Sequence, residues 1–290
     1  MNQEGKRSFF TTMAILVLTA SLATMCGEDK EDPDTPDAGT DAGTDAGTDV
    51  PFTCDVGTRD GPAGNTDGQP SSGGITYSVR TPADYDPTVG FPLIMVYAPA
   101  GATEITTETF TGLTPDAIAA GFIIAYADHH SPSSLDAIER LALIPAEIAD
   151  RWCVDTARIY ATGHSDGGST TTIVAMYEDM MEHRPAAIAP SAAGVDANYF
   201  TGFGICPPPI PVMIMHSSND TLFEDFGLDA RDYWVDCNGC DSTPAQTLPD
   251  GCLQYTGCVD DVEVLYCEGT GSHGTWPPLN DSVIDFFSTY

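Results

Sequence analysis

The stretch Gly163-His164-Ser165-Asp166-Gly167-Gly168 constrains this chain more than any other. It follows a strand candidate, Arg158–Thr162, and precedes Ser169–Tyr177, which has helical character. G-x-S-x-G between a strand and a helix demands a turn too tight for side chains at the flanking positions, which is why glycines stand there. Such a turn is expected to strain its backbone and to lift the serine hydroxyl above a sheet, where the helix dipole favours developing negative charge. A solvated serine in a glycine-rich turn is the bland alternative. The strand before it and the helix after it favour Ser165 as a nucleophile.

A strand-turn-helix unit needs a sheet with crossover helices, and the rest of the chain is patterned for one. Gly74–Arg80 reads as an early strand. Pro92–Ala98 (PLIMVYA) and Phe122–Ala127 (FIIAYA) read as buried strands with almost continuous apolar character. Between them, Thr114 as N-cap and Pro115 at the first helical position signal a short helix that runs to Ala120 and closes at Gly121. Leu135–Trp152 is amphipathic, with Ile138, Leu141, Ile144, Ile148 and Trp152 on one side, and Pro145 is placed to kink or split it. Pro209–Met215 and Asp261–Leu265 are further strands, and Ser282–Tyr290 is a final helix. Five or six strands with helical crossovers make an open, mostly parallel α/β sheet the expected fold.

A serine hydroxyl needs a base to take its proton, and the base needs a carboxylate to orient it. In an α/β sheet of this kind the chain order is Ser, acid, His. His183, His216 and His273 follow Ser165. His183 lies in a charged segment, and His216 precedes most of the acids that would have to come before it. His273 sits in the glycine-rich loop Gly269–Pro277, where Trp276 is placed to wall a substrate pocket. Asp220, at the end of a turn after a buried strand, is the expected acid, with Asp225, Asp260 and Asp261 as rivals. Two backbone N–H donors must face the substrate oxyanion. Asp166 is expected to supply one and Ala100 the other, with Gly101 in reserve because Pro99 has no N–H. His129 and His130 are read as solvated loop residues.

The stretch Gly74–Pro277 resembles the secreted esterases that include polyhydroxybutyrate depolymerases and feruloyl esterases. The matching pieces are PLIMVYAPAG, AAGFIIAYAD, WCVDTARIYATGHSDGGS, IMHSSND, DCNGCDSTP, CLQYTGC and GSHGTWP. The resemblance implies an α/β-hydrolase fold, a triad of Ser165, Asp220 and His273, no metal or other cofactor, and a carboxylic ester substrate carried on a polymer or oligomer. Feruloyl or acetyl groups on polysaccharide and short hydroxyalkanoate polyesters both fit that class. Two positions depart from the family pattern. Ala98-Pro99-Ala100-Gly101 stands where relatives have His-Gly and further glycines, and Ser217 replaces the glycine of the acid turn. The rival reading is a surface binding protein on a hydrolase scaffold with a weakened oxyanion loop; a peptidase is a third.

The 290 residues carry 10 Lys plus Arg against 43 Asp plus Glu, a formal charge of −33, which repels phosphate backbones and excludes nucleic acid as a partner. Lys6 and Arg7 before the apolar run Phe9–Leu22 read as an export signal spanning residues 1–26. Cys26 ends it where a lipoprotein carries its acylated cysteine, so membrane attachment through Cys26 and simple cleavage and release are both open. Residues 27–53, with Asp-Ala-Gly-Thr at 37–40, 41–44 and 45–48, form an acidic tether, and residues 54–290 the catalytic domain. The chain is expected to act as a monomer, outside the cell or on its surface. Eight cysteines besides Cys26 suit up to four disulfides of open connectivity. Zinc at Cys237, Cys240, Cys252 and Cys258 is the weaker rival, because the spacing is wrong and no His is near.

Overall fold

Strands whose residues are apolar at every position need cover on both faces, and this chain supplies helices to both sides of one sheet. The computed structural model describes residues 52–290. In chain order the first elements are β1 (Asn65–Pro70), β2 (Thr76–Arg80), β3 (Phe91–Tyr97), α1 (Glu104–Thr111), α2 (Thr114–Ala119), β4 (Ile123–Ala127), α3 (Leu135–Ala142) and α4 (Ile144–Arg151). They continue with β5 (Val154–His164), α5 (Asp166–Met176), β6 (Ala187–Ser191), α6 (Ala197–Phe203), β7 (Val212–Ser217) and α7 (Phe226–Cys237). The last are β8 (Gln246–Thr247), β9 (Leu253–Tyr255), β10 (Val264–Gly269) and α8 (Asn280–Thr289).

The strands form one sheet in the order β1-β2-β4-β3-β5-β6-β7-β10-β9-β8. From β4 to β10 all neighbours are parallel, and both edges are antiparallel. Alternation along β3 divides the interior into two cores. Leu93, Met95 and Tyr97 face one core with Ile138, Ile148, Trp152, Ile173 and Trp234; Ile94 and Val96 face the other with Leu113, Phe122, Val283 and Phe287. Loops at the carboxyl ends of the parallel strands therefore gather on one rim, where open α/β sheets place their sites.

The expected amphipathic helix is split as its proline required: α3 ends at Ala142 and α4 begins with Pro145 in its first turn. Other expectations need correction. Thr114 does not cap α2; its hydroxyl donates to Glu108 at 2.8 Å and meets the Tyr126 hydroxyl at 3.0 Å. The last parallel strand begins at Val264, because Asp260 and Asp261 have positive φ in a 3₁₀ turn. The described sheet has ten strands rather than five or six; β6 (AIAPS) was masked by its proline, and the edge strands by their polarity and brevity. Phe52 and Thr53, placed in the tether by the sequence reading, are already in the fold: Gly90 N–H donates to the Phe52 carbonyl at 2.8 Å and Thr53 bridges Val89. The export signal, Cys26 and the Asp-Ala-Gly-Thr repeats lie outside the described residues.

Four disulfides join Cys54 to Cys153, Cys206 to Cys237, Cys240 to Cys258 and Cys252 to Cys267. All four cysteines of the zinc rival are thereby consumed in bridges. Two of the bridges, Cys240–Cys258 and Cys252–Cys267, staple the polar β8–β9 edge and its loops, which have little apolar surface to bury, and Cys206–Cys237 ties the segment after α6 to the end of α7.

Candidate active site

β5 is buried over its last six residues and ends in a bend with no room for side chains. A Cβ at Gly163 would stand 2.6 Å from the Gly167 carbonyl carbon and 2.7 Å from the Tyr97 oxygen, and one at Gly167 or Gly168 would overlap the backbone of Tyr97 or Ser191. Ser165 itself takes φ 56° and ψ −117°, a region that costs a non-glycine residue about 1–3 kcal/mol. Its N–H donates to the Ser191 carbonyl at 3.0 Å, which anchors the bend to β6. The following helix, α5, is buried all round although it reads Ser-Thr-Thr-Thr. The hydroxyls of Ser169, Thr170, Thr171 and Thr172 each donate to the carbonyl four residues back, which satisfies them internally.

The loops after β5, β7 and β10 converge on this bend. Ser165 Oγ lies 2.8 Å from His273 Nε2, and His273 Nδ1 lies 2.7 Å from Asp220 Oδ2. The other carboxylate oxygen of Asp220 accepts the N–H groups of Leu222 at 2.9 Å and Phe223 at 3.0 Å. Burial acts to raise the Asp220 carboxyl, but the His273 hydrogen bond and then the two N–H groups outweigh it and hold the group below its usual range. Asp225, Asp260 and Asp261 are exposed, and it is Asp220 that His273 pairs with. The arrangement holds a hydroxyl, an imidazole and a buried carboxylate in series.

Other proteins share this framework. An acetyl xylan esterase from Aspergillus awamori superposes with a TM-score of 0.59 over 79% of this chain and 100% of its own, at 15% identity. Fluorophosphonate-binding serine hydrolase F of Staphylococcus aureus gives 0.57 over 78% and 99%, also at 15% identity. In sequence, an alignment 225 positions long that covers 67% of this chain shows 26% identity to feruloyl esterase B of Piromyces equi. The chain has the α/β-hydrolase fold and is similar in sequence to a feruloyl esterase. It spans 41% of that curated relative's length, and no family model matches it.

The surroundings of the three residues include groups whose roles the sequence did not signal. His164, the variable position before the serine, is buried, and its Nε2–H donates to the carbonyl of His273 at 2.6 Å. A carbonyl only accepts, so the proton is on Nε2 and Nδ1 accepts from the Ser191 hydroxyl at 3.0 Å. Burial pushes His164 down to about 4, so it is neutral beside the His273 ring at neutral pH. Its position in the motif was the available signal, since alternation along β5 turns it inward. His216, disfavoured as base because it precedes most of the candidate acids, lies 4.0 Å from Asp220, and its ring nitrogens make no hydrogen bond. Burial pushes it, too, below its ordinary value.

His129 corrects the sequence reading outright. It is not a solvated loop residue: its Nε2 bonds Asp166 Oδ2 at 2.8 Å, and its backbone N–H donates to the Ala102 carbonyl at 3.0 Å. Ala100, the expected second N–H donor, stands exposed in a turn closed by Ala102 N–H on the Pro99 carbonyl at 3.1 Å, with Gly101 at φ 76°. Asp166 is the first residue of α5, so its N–H has no partner within the helix. Trp276 lines a cleft of about 910 Å³ with Phe110 and Asn280, and its Nε1–H donates to Asn280 at 2.8 Å. Phe223 packs edge-on against His273, ring centres 4.9 Å apart. Among the described residues there is no cluster of three or more metal-ligating side chains.

Proposed function

We propose that this chain is a serine esterase that cleaves carboxylic esters through an acyl-enzyme, with Ser165 as nucleophile, His273 as base and Asp220 as the acid that orients it. The observation that carries the proposal is the unbroken relay from Ser165 Oγ to His273 Nε2 and from Nδ1 to Asp220, at 2.8 and 2.7 Å. Both distances lie in the range for proton transfer. Ser165 Oγ bonds to the ester carbonyl carbon as its proton moves to His273 Nε2. The oxyanion that forms is met by the N–H groups of Asp166 and Ala100. The tetrahedral species collapses, the C–O bond to the alcohol breaks, and His273 returns the proton to the departing oxygen. Water, deprotonated by the same histidine, then attacks the acyl carbon and releases the carboxylic acid and free Ser165.

The relatives support a substrate class. One is described as a feruloyl esterase and another as an acetyl xylan esterase, which supports an ester borne on a polysaccharide; short hydroxyalkanoate polyesters are the second class in the proposal. Four disulfides support work in an oxidising compartment, outside the cell or on its surface. A fluorophosphonate probe tests the reading: it labels the wild type and leaves Ser165→Ala unlabelled. Labelling that survives the substitution, or a wild type that stays unlabelled, refutes it, and the latter favours the binding-protein reading. Methyl ferulate, an aryl acetate and hydroxybutyrate oligomers, compared by kcat/KM, then separate the substrates.

A further inference from the structure

The sheet order β4-β3-β5 puts the loop that follows β3 between the ends of β4 and β5. His129 lies just past the end of β4, and Asp166 just past the end of β5. Neighbouring strands lie about 4.8 Å apart, so the two ends are separated by roughly 10 Å with the Ala98–Ala102 loop in the gap. The imidazole of His129 spans that gap and meets the Asp166 carboxylate at 2.8 Å. The same short segment holds the loop from below. His129 N–H donates to the Ala102 carbonyl at 3.0 Å, and the Asp128 carboxylate accepts Glu104 N–H at 2.8 Å. The side chains of His129 and Asp166 are 22% and 28% exposed, which separates this pair from a freely solvated one that would hold little.

We infer that His129 is a positioning residue: bonded to Asp166 across the loop after β3, it straps together the two segments whose N–H groups face the oxyanion. The inference rests on the esterase reading of the site. The loop needs such a strap because it has a single glycine and an exposed turn, and one of its N–H groups must stay aimed at a point in space that the substrate fills only during reaction. Donors aimed beforehand are what make an oxyanion hole effective, and a displaced donor forfeits part of the hundredfold or larger rate effect of a single such group. His129 does not touch the reacting atoms. Its loss should therefore lower kcat and leave KM nearly alone.

The test uses the full chain with 4-nitrophenyl acetate. His129→Ala is expected to lower kcat tenfold or more with KM within twofold. Asp166→Ala should do the same, and the double variant should be no slower than the slower single one, since both remove one strap. His129→Gln keeps an N–H donor at the same reach and should recover most of the rate. Melting temperatures measured alongside separate this pattern from general loosening. Amide hydrogen exchange across residues 98–104 should quicken in His129→Ala, a readout that needs no turnover. Wild-type kcat in His129→Ala, additive losses in the double variant, or unchanged exchange would each overturn the strap. A wild type that neither hydrolyses the ester nor labels at Ser165 would sink the esterase reading, and the exchange measurement would still decide whether the strap holds.

Discussion

Acidification should reveal His164 through stability before it reveals it through catalysis. The unfolded side chain titrates near 6.5 and the folded one at about 4. In that window the unfolded chain takes up a proton that the folded chain refuses, so stability is flat above 6.5 and falls as the pH drops towards 4. The gap is worth about 3 kcal/mol at full titration, and about 2–3 kcal/mol of it is lost by about pH 4.5. His164 is only 3% exposed, so little of this is screened by solvent. The assay is urea unfolding followed by fluorescence of the buried Trp152 and Trp234, with disulfides intact, at several pH values between about 4.5 and 7.5. Other groups contribute to the wild-type slope. Buried His216 has the same sign, and Asp220 loses its stabilisation only as the pH falls through the lower carboxylate range. The informative quantity is therefore the difference from His164→Gln, which does not titrate and keeps a donor for the His273 carbonyl. That variant should lose about 2 kcal/mol less than the wild type between about pH 7 and 4.5. Parallel curves would refute the claim that His164 is held neutral by burial.

Three further outcomes are expected. Asp220→Ala should lower kcat by a factor on the order of 10⁴ while Asp225→Ala stays near wild type; a sensitive Asp225 would reassign the acid. Ala100→Pro removes one N–H at a turn position that welcomes proline, so kcat should fall about 10²–10³-fold with the melting temperature unchanged, and full activity would move the second donor to Gly101. Replacing Cys54 and Cys153 by serine opens a bridge that spans 99 residues and should cost about 2–5 kcal/mol in denaturant unfolding, with active-site titration of the folded fraction unaltered.

The parts of this protein legible from its sequence are the local ones. PLIMVYA and FIIAYA announce buried strands because every position is apolar, and Pro145 divides a helix wherever it stands, since it lacks the N–H that the ladder needs. The glycines around Ser165 declare a bend because no other residue fits there. Chain order and the glycine-rich loop favoured His273, and the turn after a buried strand put Asp220 ahead of Asp225, Asp260 and Asp261. Polar edge strands and the proline-bearing β6 gave no such signal, because their pairing partners, rather than their own composition, make them strands.

Tertiary structure alone decided which groups meet. His273 reaches a serine 108 residues away and an acid 53 residues away, and those approaches depend on which strand ends lie side by side. His129 looked like a solvated residue because nothing near it in sequence needs an imidazole; its partner lies 37 residues on and two strands across the sheet. The pairing of eight cysteines was likewise open until the fold brought four pairs within bonding distance. Backbone preference and hydrophobic period act over a few residues and can be read in line, whereas a hydrogen bond between distant loops exists only once the sheet order has been set.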